Sequence, residues 1–107
     1  MTKKVELRGV LTALSTPFAD NQDVDVDLLK KVVDRSINGG VNGVVVGGST
    51  GEFASLSSEE RIELVDTVVT HIAGRVPVIA QTGATTTREA IRLSKKAQDY
   101  GADVLML

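Results

Sequence analysis

Three glycines enclose two hydroxyls in the stretch of this sequence best suited to chemistry, Gly47-Gly48-Ser49-Thr50-Gly51-Glu52. Glycine lets backbone approach a ligand closely and accepts φ > 0. A row of free N–H groups beside two hydroxyls makes a small cage for an anion. Two phosphate loops can be tested and rejected. A P-loop ends in Gly-Lys-[Ser/Thr], whereas Gly51 is followed by Glu52. A dinucleotide fingerprint needs G-x-G-x-x-G, and Gly47-Gly48-x-x-Gly51 misses that spacing, with no suitable acid after it. The residues themselves fit a loop for a small carboxylate or phosphate, and they equally fit a structural turn.

Composition narrows the chemistry further. The 107 residues suit one domain, 24% charged and 42% hydrophobic, with a net charge of −2. Acidic and basic residues are mixed, so neither nucleic acid nor a membrane surface is favoured as a partner. Cysteine is absent, which removes disulfides, thiolate nucleophiles and thiolate zinc sites. A single histidine leaves little for a His-based metal site or a Ser–His relay. Met1, Thr2, Lys3 and Lys4 are not followed by an apolar signal-type run, so a cytoplasmic protein is expected.

The loop must be held by the elements around it. Gly9 to Leu14 is apolar and strand-forming, and Pro17 stops it by withholding an N–H. Asp25 or Asp27 can cap a helix whose Leu28, Leu29, Val32, Val33 and Ile37 recur at helical spacing, until Asn38-Gly39-Gly40 stops it. Val41 to Val46 is a continuous apolar run, as expected of a strand covered on both faces. After the glycine loop, Ser57-Ser58-Glu59-Glu60 has the form of a capping box. Ile62, Val65, Val69 and Ile72 then form an apolar stripe that Gly74 closes. Val76 to Ala80 is a third strand, ended by Gln81-Thr82-Gly83. Thr86-Thr87-Arg88-Glu89 is a second capping box, and Ala90, Ile91, Ser94, Ala97 and Tyr100 line the inward face of the next helix. Val104 to Leu107 is a fourth strand.

The pattern is β-α-β-α-β-α-β. It repeats as Gly40-Val41-Asn42, Gly74-Arg75-Val76 and Gly101-Ala102-Asp103, each glycine ending a helix before a strand. The spacing of about 30 residues is that of a βαβ unit. Alternating βα units give a parallel sheet, either an open doubly wound one or part of a (β/α)8 barrel. Eight units need roughly 200–250 residues, so the chain is expected to be one partial barrel domain over 1–107, truncated at the fourth strand.

In either architecture ligands bind at the C-terminal strand ends. Those ends are Ser15-Thr16, Gly47 to Glu52 and Gln81-Thr82-Gly83, rich in hydroxyls and free of Lys, Arg, His and Asp. Glu52 could act as a base, but just before a helix it is read as ordering the loop. His71 suits the dipole near a helix end, and Tyr100 is read as packing. Lys3, Lys4, Lys30, Lys31, Lys95 and Lys96 fall on a tail or on helix surfaces, not where a desolvated amine would react.

These segments together resemble the dihydrodipicolinate synthase / N-acetylneuraminate lyase family. The resemblance rests on Gly9 to Phe18, on Gly47 to Glu52 followed by Leu56-Ser57-x-x-Glu60, and on Pro77 to Ala80, Thr82 to Ala84 and Thr87-x-Glu89-Ala90. It spans essentially the whole chain. It implies the N-terminal half of a (β/α)8 TIM barrel and a pyruvate-dependent class I mechanism through a lysine Schiff base, with no metal or cofactor. By position, Ser49 and Thr50 would hold the pyruvate carboxylate between Gly48 and Gly51. Ser49 would also join a proton relay, and Ala13 would line the pocket floor. The partners implied are pyruvate and an aldehyde, in a homo-oligomer, a tetramer.

The family's Schiff-base lysine and its tyrosines would lie beyond Leu107, so these residues alone are expected to be inactive. A synthase-like condensation is expected first. N-acetylneuraminate lyase and 2-keto-3-deoxy-sugar-acid aldolase or dehydratase are the alternatives within the family. Lysine-pathway synthases often carry two threonines where Ser49-Thr50 stands, whereas sialic acid lyases carry Ser-Thr, as here. The rival of another class is a non-catalytic half-barrel that binds or builds, oligomerising to complete its sheet.

Overall fold

Short, mostly apolar runs alternate with amphipathic segments, and each becomes the element its period dictates. A computed structural model describes residues 4–107, so Lys3 of the expected tail lies outside the described residues. The order is β1 (Leu11–Ala13), α1 (Val26–Asn38), β2 (Gly43–Val46), a 3-10 turn (Phe53–Ser55), α2 (Ser58–Ile72), β3 (Val78–Gln81), α3 (Thr87–Asp99) and β4 (Val104–Met106). The strands pair in parallel in the order β1-β2-β3-β4.

That order separates the two architectures left open by the sequence. A doubly wound sheet reverses its strand order and carries helices on both faces. Here the strands follow one another, and all three helices pack on one face. Val44, Val46, Val78 and Ala80 of the sheet share a single core with Leu29 and Val33 of α1, Leu64, Val68 and Ile72 of α2 and Ala97 of α3. This is the winding of the N-terminal portion of a TIM barrel.

The opposite face explains a correction. The Val41–Val46 run reads as a strand covered on both sides, yet Val45 is only partly buried and Ala13 of β1 is exposed. Among the described residues no second layer lies over that face. The ladder is also shorter than the run. Asn42 Oδ1 accepts from the Val10 N–H at 2.9 Å, and the Asn42 N–H donates to Val10 O at 2.7 Å, so this residue anchors the approach to β1.

Caps follow the sequence closely, with one exception. Asp25 caps α1 by accepting from the Leu28 N–H at 3.0 Å. The Ser57–Glu60 box is complete, with bonds of 3.1 and 2.8 Å. The second box is only half formed. Thr86 accepts from the Glu89 N–H at 3.2 Å, but the Glu89 carboxylate turns to Arg92. On α3 the inward stripe runs through Leu93 and Ala97, one turn apart. Ile91 and Tyr100 are 50% and 42% exposed, because Ile91 lies a residue off that stripe and Tyr100 sits past the helix end.

Neighbouring leucines give a direct test of the one-sided core. Leu29 is 1% exposed and Leu28 is 44% exposed. Leu29→Ala is expected to lower unfolding free energy by about 2–5 kcal/mol, and Leu28→Ala by about 0.5 kcal/mol or less. Urea unfolding of the two variants measures this; equal losses would contradict the assigned faces.

Candidate functional site

Parallel registry brings the C-terminal ends of the strands to one edge of the sheet. β2 runs straight into the glycine loop, and the loop's geometry comes from two different constraints. Gly47 takes φ +69°, a conformation that disfavours a side chain. Gly51 does not have positive φ; the second left-handed residue is Glu52, at 60°. Gly51 instead sits in a crowded place. A Cβ there would lie 3.1 Å from Leu14 O, 3.2 Å from Thr16 Oγ1 and 3.3 Å from Gly47 N. Glu52 orders the loop through backbone N–H bonds, and its carboxylate makes no capping bond. Its backbone does the work: the Glu52 N–H donates to Ser49 O at 3.0 Å, and the Phe53 N–H donates to Gly48 O at 3.3 Å.

The loop exposes its two hydroxyl-bearing residues. Ser49 and Thr50 are exposed, while Gly48 and Gly51 are buried beneath them. Among the described residues, neither hydroxyl and none of the N–H groups of Ser49, Thr50 and Gly51 has an acceptor. The other strand ends differ from expectation. Thr16 is 5% exposed and walls Gly51. Thr82 is 2% exposed, and its Oγ1 lies 2.8 Å from Ser94 Oγ. Their hydroxyls turn inward, so the β2 loop, with Ser15 nearby in sequence, presents the free ones. Ala13 pairs with Val45 on the uncovered face of the sheet.

The sequence reading missed one residue at this edge. Arg61 comes from α2, not from a strand end, and it is 9% exposed. Its Nη2 donates to Gln81 O at 3.1 Å and Gln81 Oε1 at 2.9 Å, and its guanidinium carbon lies 5.0 Å from the centre of the Phe53 ring. Burial pulls its pKa below the usual value, opposed by the charge of Glu89. A signal was available: Arg61, Val65, Val68 and Ile72 follow a helical stripe, so a cation stood on the inward face. Arg61 also lines a groove of about 680 Å3 with Phe53, Leu56, Gln81, Gly83 and Glu89.

Two ion-pair groups lie on the helices. Arg92 joins Glu89 at 2.9 Å and Glu59 at 3.1 Å. The Arg92 guanidinium, with the Ser58 hydroxyl second, pulls the Glu89 carboxyl from its usual 4.5 to about 2. His71 contacts Asp34 at 2.8 Å and Arg75 contacts it at 3.2 Å, tying α2 to α1. The His71 hydrogen bond is the main cause holding the Asp34 carboxyl below its usual range. His71 therefore has a structural partner. Among the described residues, no cluster of three or more His, Cys, Asp or Glu side chains could hold a metal ion, and no helix is long and apolar enough to cross a membrane.

Sequential parallel strands and a one-sided helix layer define a barrel-type α/β protein, with a donor-rich loop at the C-terminal end of its second strand. Residues 6–107 match the model of the dihydrodipicolinate synthetase family, and the chain belongs to that family. It is 46% identical over 97 residues to the 4-hydroxy-tetrahydrodipicolinate synthase of Neisseria gonorrhoeae, covering 91% of this chain and 33% of that protein. Its structure is similar to a dihydrodipicolinate synthase of Bacillus anthracis, with a TM-score of 0.94 and 41% identity over 97% of this chain and 36% of the other. It is also similar to the chloride-inhibited dihydrodipicolinate synthase of Acinetobacter baumannii complexed with pyruvate, with a TM-score of 0.90 and 40% identity over 94% of this chain and 34% of the other. The chain spans about a third of the length of these relatives.

Two tests follow from the local geometry. Gly51→Ala is expected to cost about 1–3 kcal/mol by overpacking. Gly48→Ala is expected to be near neutral, since its added Cβ meets only Val45 Cγ1, at 3.7 Å. Urea unfolding of both variants checks the contrast, and equal costs would contradict the crowding at Gly51. For Glu89 the folded pKa is depressed, so its pairing stabilises fully above about 4.5 and is lost as pH falls through about 2. An NMR titration should find that midpoint, and Arg92→Met should return it toward 4.5.

Proposed function

We propose that the protein carrying this chain is a pyruvate-dependent class I aldolase or lyase, similar to 4-hydroxy-tetrahydrodipicolinate synthase, which condenses pyruvate with an aldehyde. The observation that carries this reading is the outward loop after β2, with free N–H groups at Ser49, Thr50 and Gly51 and two free hydroxyls. A carboxylate is an acceptor-only group with two oxygens, which suits such a set of donors. The pyruvate complex of the Acinetobacter baumannii relative supports the choice of ligand.

In this reading Ser49 and Thr50 grip the carboxylate, while the backbone of Gly48 and Gly51 lets it approach. The grip orients the adjacent keto carbon toward a lysine supplied from outside residues 1–107. The amine adds to that carbon, water leaves, and loss of a methyl proton gives an enamine that attacks the aldehyde. Hydrolysis then frees the lysine. Ser49 has a second role in passing protons, and the small Ala13 leaves room at the pocket floor. The lysine imine is itself the electron sink, so no metal or cofactor is required. Residues 1–107 are then the N-terminal part of a single barrel domain, in a cytoplasmic homotetramer. Ser49, in place of a threonine, favours N-acetylneuraminate lyase as the second reading.

The test uses a protein that carries this chain with the rest of its barrel. Pyruvate followed by borohydride should add one reduced pyruvate unit per chain to the intact mass. No adduct would contradict the lysine Schiff-base reading and favour a non-catalytic binding or structural role. Thr50→Val keeps shape and removes one hydroxyl, and it should cost about 1.5–3 kcal/mol of pyruvate binding, the worth of a hydrogen bond to a charged group. Unchanged affinity by calorimetry would make the loop structural only. The 107 residues alone should show no turnover.

A further inference from the structure

Arg61 is a cation on the apolar face of a helix, and packing does not account for it. Its neighbours on that face are Leu64, Val65 and Val68, and it is as buried as Leu56, at 9% exposure. Replacing a buried charge by an apolar side chain of similar volume is often neutral or stabilising. Among the described residues no carboxylate pairs directly with the guanidinium, and Nε has no hydrogen-bond partner. What the side chain does contact is specific. Both of its hydrogen bonds go to Gln81, to the main-chain oxygen that ends β3 and to Oε1, which also accepts the Gly83 N–H at 2.8 Å. Its face lies on Phe53, and the Phe53 N–H holds Gly48 O at 3.3 Å.

Phe53 is therefore the downstream anchor of the loop, as Val46 of β2 is the upstream one. Between them Ser49, Thr50 and Gly51 are spanned by one local bond, from the Glu52 N–H to Ser49 O, and by the contacts of Gly51 with Leu14 and Thr16. The left-handed Glu52, next to Phe53, is a conformation that side chains disfavour and that needs holding. We propose that Arg61 is a positioning residue for the carboxylate cradle: from α2 it clamps the Phe53 turn to the end of β3 and so fixes the spacing of the Ser49, Thr50 and Gly51 donors. This rests on the reading of the loop as a pyruvate site. Its consequence is that pyruvate recognition depends on a residue that does not touch pyruvate, because a displaced donor set loses preorganisation.

The test again uses the protein with its full barrel. Arg61→Met keeps the stem and removes the charge and the fork. It should raise the pyruvate KM roughly tenfold or more, change kcat by no more than about twofold to threefold, and leave Tm unchanged or raised. Arg61→Lys, which keeps the cation over Phe53, should recover part of the KM. Combined with Thr50→Val, the loss in pyruvate affinity should be less than the product of the two single losses, since both act on one set of donors. A purely structural role would lower Tm and the amount of folded enzyme without moving KM. If Arg61→Met does not fold, Phe53→Leu reads the same anchor by the same KM and coupling measurements. A folded variant with unchanged pyruvate KM, or losses that multiply fully with Thr50→Val, overturns the proposal. If Thr50→Val itself has no effect on pyruvate, the cradle reading fails and this proposal fails with it. If Thr50→Val weakens pyruvate and Arg61→Met does not, only the positioning role is lost.

Discussion

The close approach of Gly51 to the end of β1 is the constraint on which the shape of the loop after β2 depends. Leu14 O, Thr16 Oγ1 and Gly47 N crowd the place where any side chain at residue 51 would begin. That approach seats Gly51 against the strand ends, while Ser49 and Thr50 just before it are exposed. It exists only because β1 and β2 run in parallel and in register, Leu11 to Ala13 beside Gly43 to Val45. A slip of one residue would exchange the two faces of a strand. It would turn Val44 and Val46 away from the helices and take Leu14 out of reach of Gly51.

The helix layer holds that register from one side. Leu29, Val33, Val68 and Ile72, all 1% exposed or less, lock onto Val44, Val46 and Val78 of the sheet. The ion pairs around Asp34 and Arg92 are partly exposed and contribute little beside this burial. They set which helix faces meet: Arg92 links α3 to α2, and Asp34 links α1 to α2. The other face of the sheet, with Ala13 and Val45, carries no second layer among the described residues.

Local patterns explain why so much was legible in the sequence. Each strand was visible as a short, mostly apolar run, each helix as an apolar stripe, and Asp25 and Ser57 as caps, because these signals act over a few residues. The order of the strands was not visible from periodicity alone, since an open sheet and a barrel share the same units. Resemblance to the family supplied that choice, and the one-sided core agrees with it. What failed depended on competing or distant partners. Glu89 left its capping role because Arg92 stood one turn away with a charge to offer. Thr16 and Thr82 looked like site hydroxyls and are buried by elements remote in sequence. At Gly51 the sequence announced a glycine without its reason, which is crowding by β1 and not a left-handed backbone. Arg61 went unnoticed because its partners, Gln81 and Phe53, lie on other elements.

The central claim is that the loop after β2 is a carboxylate cradle, and its most direct measurement is a crystal structure of the complete barrel trapped with pyruvate. Carboxylate oxygens are expected within about 2.7–3.2 Å of the hydroxyls or N–H groups of Ser49 and Thr50, with Phe53 still stacked on Arg61. A carboxylate bound elsewhere, with those donors facing only water, would contradict it.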